Sequence, residues 1–538
     1  MTSQNPNIKE SLNLFTPFTN SNIDMDSQDD IIESRLQKRQ QNFINSENFK
    51  EIKESTMSSE LSLGENSRSL LFKQRRLKQN IINKNEILFQ LKDKLSIPLE
   101  WYEKCESTNF LLSQFPQILA AFKNNSDINQ KFFGLVGIKK ILMLQESPLQ
   151  DIVNEGIIPE LILLLDLNLN PEFQYEALFC LTFITSKTNE EIGFLIIKQG
   201  IKKIVMILDS FIEEIKIQGA LLIGNLAINS YKIRDSLIKE EAYNKLLISL
   251  RGTNNKKIIK NNTWAISNFF RVKPLMMYDN AKKSIKIIAR NIFLLKDDLE
   301  FLNDACFILC FITENYKEGI KELMELEILE SIINLLDCKM PYIQITTLRL
   351  LGNIATGNAN QTQELIDSGL LPQLKKTIFN QKKIIRKESA WILSNIAAGT
   401  QKQIENLINE DFLLIFEKVI QNDESEVRKE CIWAMCNLTS VKNPIYIKKI
   451  LQQGILECIK SCLMINDAKN LAVNLEALNN LLFFGKQNKI NNVNPVAEEI
   501  ERLGMIDLLE NLQSHPVEIV YEKTLKLLLD YFDVQYNE

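Results

Sequence analysis

The chain has 538 residues, 45% of them apolar and 24% charged, enough to bury a large core, while Gly (17) and Pro (13) are scarce for that length. That balance predicts long helices with few turns. A net charge of −5 and a pI near 5.5 argue against a general nucleic-acid binder, which would carry a basic face or a high pI, and make basic peptides the more natural partner.

In chain order, the N-terminus "MTSQNPNIKESLNLF" lacks a charged segment followed by an apolar one, and no stretch reaches the 18 or so uncharged apolar residues that would span a bilayer. Residues 1–30 are polar and rich in Asn, Ser and Asp, and read as a disordered leader. Residues 31–84 form a basic arm. Its segment from Arg68 to Lys84 holds six basic residues and no acidic one, including Arg68, Lys73, Arg75, Arg76 and Lys78. A basic arm on an acidic protein reads as an interaction tail, with a solvated leader as the plain alternative. Residues 85–114 are a linker, and 115–535 are expected to form an array of about ten helical repeats.

The array shows in one recurring core. "SAWILSNIAAGT" sets Trp391 and Asn395 four apart on one helix face; "CIWAMCNLTS" repeats this at Trp433 and Asn437, and "NTWAISNFFR" at Trp264 and Asn268. Without the Trp it returns around Asn353 and Asn225. Equivalent positions Phe183, Asn225, Asn268, Phe311, Asn353, Asn395, Asn437 and Asn480 differ by 42 or 43 residues. Helical pattern at that period, with no strand signal, is the range of armadillo and HEAT arrays. A short apolar second helix opened by Gly or Pro, as in "GIIPELILLLD" and "GLLPQLKKTIF", favours armadillo.

His515 is the sole histidine, so zinc ligation and imidazole catalysis have almost no raw material. Cys306/Cys310 and Cys458/Cys462 are spaced i,i+4 on apolar faces, so the nine Cys read as buried thiols without a disulfide framework. Neither a phosphate loop nor a nucleophile elbow nor a paired-carboxylate site is present. No enzyme, cofactor or metal is expected.

In a solenoid the innermost helix of each repeat lines a concave groove, so one residue per repeat becomes a row. Helices about 8 to 10 Å apart address an extended peptide, rising about 3.3 Å per residue, every two to three residues. An Asn amide offers a donor and an acceptor to a peptide backbone, and neighbouring indoles make slots for Lys or Arg stems. Glu388 and Glu430, three residues before their Trp, add countercharge. A lone Trp on an apolar helix is ordinarily core, but three Trp-x-x-x-Asn pairs in register fit a peptide-binding row better, because a buried amide without a partner is costly.

These segments, with "LRLLGNIATGNANQTQELIDSG" and an arm ending in "KQRR", resemble the importin-α (karyopherin-α) family over nearly the whole chain. The resemblance implies an all-α armadillo-repeat superhelical solenoid with a mostly disordered N-terminal arm that binds importin-β. It implies cargo carrying basic nuclear localisation signals, recycling by a nuclear export receptor, and shuttling between cytoplasm and nucleus. It further implies two peptide sites. The minor-site pattern matches at Arg349, Asn353, Glu388, Trp391, Asn395, Glu430, Trp433 and Asn437. The major-site pattern is degenerate: Phe179 and Phe183 replace Trp and Asn, Leu221 replaces the Trp before Asn225, and Asn229 stands where an acid is expected. Gln218, Asn225, Trp264, Asn268 and Glu300 remain, and the next repeat carries Phe307 and Phe311. The expected function is a divergent import adaptor working mainly through its late repeats; the alternative is an armadillo scaffold that binds structural or signalling partners and carries no cargo.

Overall fold

In the computed structural model the described residues are 112–532, apart from 145–146, 167–169 and 189. The leader, the basic arm and most of the linker lie outside them. Among the described residues the chain is helix after helix with no strand and one isolated antiparallel bridge, Ile490 to Val493. No described helix is long and apolar enough to cross a membrane.

Each of the eight ladder positions falls on its own long helix, and one further long helix precedes and one follows that series. In chain order these are α1 (Ile128–Leu142), α2 (Pro171–Lys187), α3 (Glu213–Asn229), α4 (Lys256–Phe270) and α5 (Leu299–Asn315), then α6 (Pro341–Ala355), α7 (Lys383–Ala397), α8 (Ser425–Leu438), α9 (Ala468–Gln487) and α10 (Glu518–Tyr531). Shorter helices fill the intervals, such as Ala359–Asp367 and Leu370–Thr377 between α6 and α7. Phe115–Lys123 precedes α1.

Local sequence explains where these elements start. Asp127, Asn170, Asn255 and Asp467 cap α1, α2, α4 and α9 by accepting backbone N–H groups that have no partner inside the helix. The helices after α6 and α7 open with full capping boxes, Asn358 with Gln361 and Thr400 with Gln403. Each box follows a glycine, because the Gln side chain folds back into the space a Cβ would fill: a Cβ on Gly357 or Gly399 would lie 2.1 or 1.9 Å from that Gln Oε1. Several second helices begin after a left-handed residue. Gly156, Gly369 and Gly454 supply it as expected, whereas Glu241 (φ 67°) and Asp411 (φ 56°) adopt it without being Gly.

Two compact units divide between Ile312 and Thr313. In the early unit α1 packs on α2, α2 on α3, and α3 on α4; in the late unit α6 through α10 pack in the same sequential way. A long helix covered on both sides by its neighbours becomes apolar almost all round. In α3 nearly every residue from Ile215 to Ala227 is buried, and in α7 nearly every residue from Ser389 to Ala397. Each fully buried Leu or Ile, such as Leu222, Leu350 or Leu393 at 0% exposure, contributes about 1.5–3 kcal/mol. The described cysteines are free thiols, all buried except the half-buried Cys338. Burial pushes the Cys180, Cys431 and Cys436 thiols up and keeps them protonated.

Candidate functional site

The late unit gathers the minor-site-like residues on α6, α7 and α8. One helical turn separates Trp391 from Asn395 on α7, and Trp433 from Asn437 on α8, so each helix presents an indole beside an amide. Both indoles are half-buried. The Trp391 ring packs against Gly352 of the preceding repeat, where a Cβ would come within 2.0 Å of Cζ3 and 2.6 Å of Cε3. Only a glycine in the middle of α6 gives the indole this seat.

Charge and amide capacity are distributed unevenly over these rungs. Arg349 Nε donates to Glu388 Oε1 at 3.0 Å, so the carboxylate in front of Trp391 already faces a cation from α6. Glu430 accepts a hydrogen bond from Ser394 Oγ at 2.8 Å. Asn353 Nδ2 donates to Thr313 Oγ1 at 3.2 Å. Asn395, 4% exposed, has a buried Nδ2 with no hydrogen-bond partner among the described residues. The half-buried Asn437 amide makes no hydrogen bond to another described side chain or backbone group. An unsatisfied buried donor costs about 1–3 kcal/mol. The unused capacity of these two amides is of the kind a peptide backbone carbonyl and N–H would take up.

The degenerate major-site residues sit differently. Trp264 is 7% exposed and Asn225 and Asn268 are each 2% exposed. Their amides tie one long helix to the one before it: Asn225 Nδ2 donates to the Thr182 carbonyl at 3.0 Å and Asn268 Nδ2 to the Gly224 carbonyl at 3.1 Å. Gln218 is buried and its Oε1 has no partner. It hydrogen-bonds Tyr175, whose phenol is pushed up to about 12, first by burial and then by the charge of Glu176. Glu300 pairs with Lys260, and Asn229 has a buried, unpartnered Nδ2.

Where Phe replaces Trp or Asn, the chain sets its own cations on the rings. Lys139 Nζ lies 4.7 Å from the centre of Phe179, Lys187 Nζ 4.5 Å from that of Phe183, and the Arg271 guanidinium 4.0 Å from that of Phe307. Phe311 meets Phe270 edge to face at 5.5 Å. Lys139 is also ion-paired with Glu176, the two side chains being 1% and 7% exposed. Burial lowers the Lys187 ammonium from its usual range. The cation positions on these rings are therefore taken from within the chain.

Sequence reading singled out neither Gly352 and Gly224 nor Lys139, Lys187 and Arg271. The glycines had a signal: "LLGNIAT" and "LIGNLAI" put Gly in the middle of a helix, where it costs about 1 kcal/mol against Ala and needs a packing reason. Lys187 follows Phe183 by one turn and was legible in the same way. The Lys139 and Arg271 contacts cross between repeats and were not. The arm residues Arg68, Lys73, Arg75, Arg76 and Lys78 lie outside the described residues.

Residues 358–398 match the armadillo/beta-catenin-like repeat and residues 494–538 the atypical Arm repeat. The chain is 34% identical to importin subunit alpha-1b of Oryza sativa subsp. japonica over 399 residues, covering 73% of this chain and 74% of that protein. It is 34% identical to importin subunit alpha-3 of Arabidopsis thaliana, covering 78% and 80%, and 32% identical to importin subunit alpha-B of Dictyostelium discoideum, covering 84% and 88%. Among solved structures, an engineered protein aligns with a TM-score of 0.63 at 21% identity over 78% of this chain and 98% of that one, a likeness of fold alone.

Proposed function

The chain belongs to the importin-α family, and on that premise we propose that it is a nuclear-import adaptor. In this reading it binds basic localisation peptides of cargo on the Trp391 and Trp433 rungs of the late unit and couples them to importin-β through its basic arm. The observation that carries the reading is the pairing of two half-exposed indoles on successive repeats with the uncommitted amides of Asn395 and Asn437. An indole slot takes a Lys or Arg stem with about 0.5–2 kcal/mol of cation–π attraction, and the amides hold the peptide backbone regardless of its sequence.

The early unit supports a lesser role for its own groove. Trp264, Asn225 and Asn268 are buried, and Phe179, Phe183 and Phe307 already face internal cations. Asn229 in place of an acid removes a charge-assisted bond of about 1.5–3 kcal/mol. Short monopartite signals are therefore preferred to long bipartite ones, which need both grooves.

A pull-down of the full chain with an immobilised basic localisation peptide and, separately, with importin-β tests the adaptor reading. Binding to both is expected; binding to neither would leave the armadillo scaffold. Deleting residues 1–84 is expected to abolish importin-β binding and to leave peptide affinity unchanged or higher, because a tethered basic arm competes for the groove. Importin-β binding that survives the deletion would remove the arm from the account.

A further inference from the structure

The second helices of the early repeats carry an exposed apolar row that no part of the proposed function uses. In each repeat a buried leucine closes the second helix or the turn that follows it: Leu165, Leu208, Leu250 and Leu295, between 1% and 6% exposed. Two residues before each stands a large apolar side chain in the open: Leu163 at 55%, Met206 at 50%, Ile248 at 65% and Phe293 at 54%. The late unit keeps the buried anchor as Leu336, Ile378, Ile420 and Leu463, but at the exposed position it carries Asn334, Lys376, Lys418 and Ser461. The same register is thus polar throughout one unit and apolar throughout the other. Single exposed apolar residues need no explanation, but a row in register does.

These positions lie on helices that pack in sequence. The helix Ile157–Leu163 packs on Glu190–Met206, the 3-10 turn Ile207–Asp209 packs on Ala242–Arg251, and that helix packs on Tyr278–Leu294. Helices about 8–10 Å apart space the four side chains over about 24–30 Å, which is the length of about 16–20 residues of α-helix. One exposed apolar side chain per repeat in this register makes a row, which suits a helix laid along it.

Its flank is basic. Three residues before each apolar position, on the same side of its helix, stand Glu160, Lys203, Lys245 and Arg290; Lys202 and Lys286 are exposed nearby. Glu160 is bridged to Lys131 at 3.2 Å, Lys245 to Asp209, and Arg290 donates to the Arg251 carbonyl at 3.3 Å. Lys202, Lys203 and Lys286 have no acidic partner among the described residues. Beyond the one acid at the Leu163 end, the row offers apolar contacts edged with unpaired positive charge.

We propose that the row Leu163, Met206, Ile248 and Phe293 is a docking surface for an amphipathic helix of a partner protein, whose apolar stripe is flanked by acidic residues. Partner charge opposite Lys202, Lys203 and Lys286 fixes the register, and the apolar row supplies the contact. None of its residues belongs to the proposed basic-peptide groove.

The probe is a fluorescent peptide of about 18 residues with Leu along one helical face and Glu on both flanks, titrated against the full chain by anisotropy. Saturable binding is expected, with a scrambled peptide failing to bind and a basic localisation peptide failing to compete. Met206→Glu/Ile248→Glu is expected to weaken binding at least about ten-fold with an unchanged melting temperature, and Lys202→Glu/Lys286→Glu to weaken it as well. No binding, or binding indifferent to both pairs, overturns the proposal. So does a concentration-dependent dimer in sedimentation that Met206→Glu/Ile248→Glu abolishes, which would make a second copy the occupant. Flotation with phosphatidylserine vesicles lost in the same variant would make it a lipid surface.

Discussion

Lys139→Met is expected to destabilise the early unit by about 3–5 kcal/mol, seen as a lower urea midpoint, because it strips the counterion from a carboxylate that stays buried. Lys139 is 1% exposed and Glu176 5%, and the two are ion-paired where α1 meets α2. Methionine fills much the same volume, so the loss measures the orphaned charge of Glu176 rather than a cavity. The pair itself is another matter, since taking two charges out of water costs nearly as much as their attraction returns. The double variant Lys139→Met/Glu176→Leu is accordingly expected to regain most of the lost stability. If the double variant melts as low as the single one, the loss comes from packing around Phe179 and not from charge.

Gly352→Ala is expected to destabilise the late unit by about 1–3 kcal/mol, the usual cost of overpacking, although Ala in mid-helix is better than Gly by about 1 kcal/mol. A Cβ at position 352 would overlap three atoms of the Trp391 indole, the nearest at 2.0 Å, so the ring must leave its seat. Peptide affinity is expected to fall with it. The sign reverses when the ring is removed: in a Trp391→Ala background, Gly352→Ala should stabilise. Denaturation of the four members of this cycle checks both directions, and a destabilising Gly352→Ala in the Trp391→Ala background would show that the indole is not what the glycine serves.

The two effects differ in how far the sequence disclosed them. The repeat, its period and the amide row were legible because Trp391/Asn395 and Trp433/Asn437 repeat a pattern at fixed spacing, and stacking turns spacing into adjacency. Capping was legible too, since Asn358/Gln361 and Thr400/Gln403 carry their own signature. The conformations of Glu241 and Asp411 were not, because a left-handed position written with a side chain gives no local warning. Nor was the occupation of the Phe179 and Phe307 rings by cations from neighbouring repeats. Lys139 and Glu176 are 37 residues apart, and the period says which helices touch but not which side chain turns into the interface. For the same reason the amides of Asn225 and Asn268 looked equivalent to those of Asn395 and Asn437, although the first two spend their donors on the preceding helix.

Binding of basic peptides through the late unit is the core of the proposed function. It is tested most directly by titrating a fluorescent monopartite basic peptide against Trp391→Ala/Trp433→Ala and against Trp264→Ala/Asn268→Ala, with residues 1–84 removed from every protein so that the arm does not compete. The first pair removes both half-exposed indoles and is expected to weaken binding by about ten-fold to over a hundred-fold, the equivalent of about 1.4–3 kcal/mol. The second alters buried groups of the early unit and is expected to change affinity little. A larger loss from Trp264→Ala/Asn268→Ala than from Trp391→Ala/Trp433→Ala would contradict the account and place the working groove in the early unit.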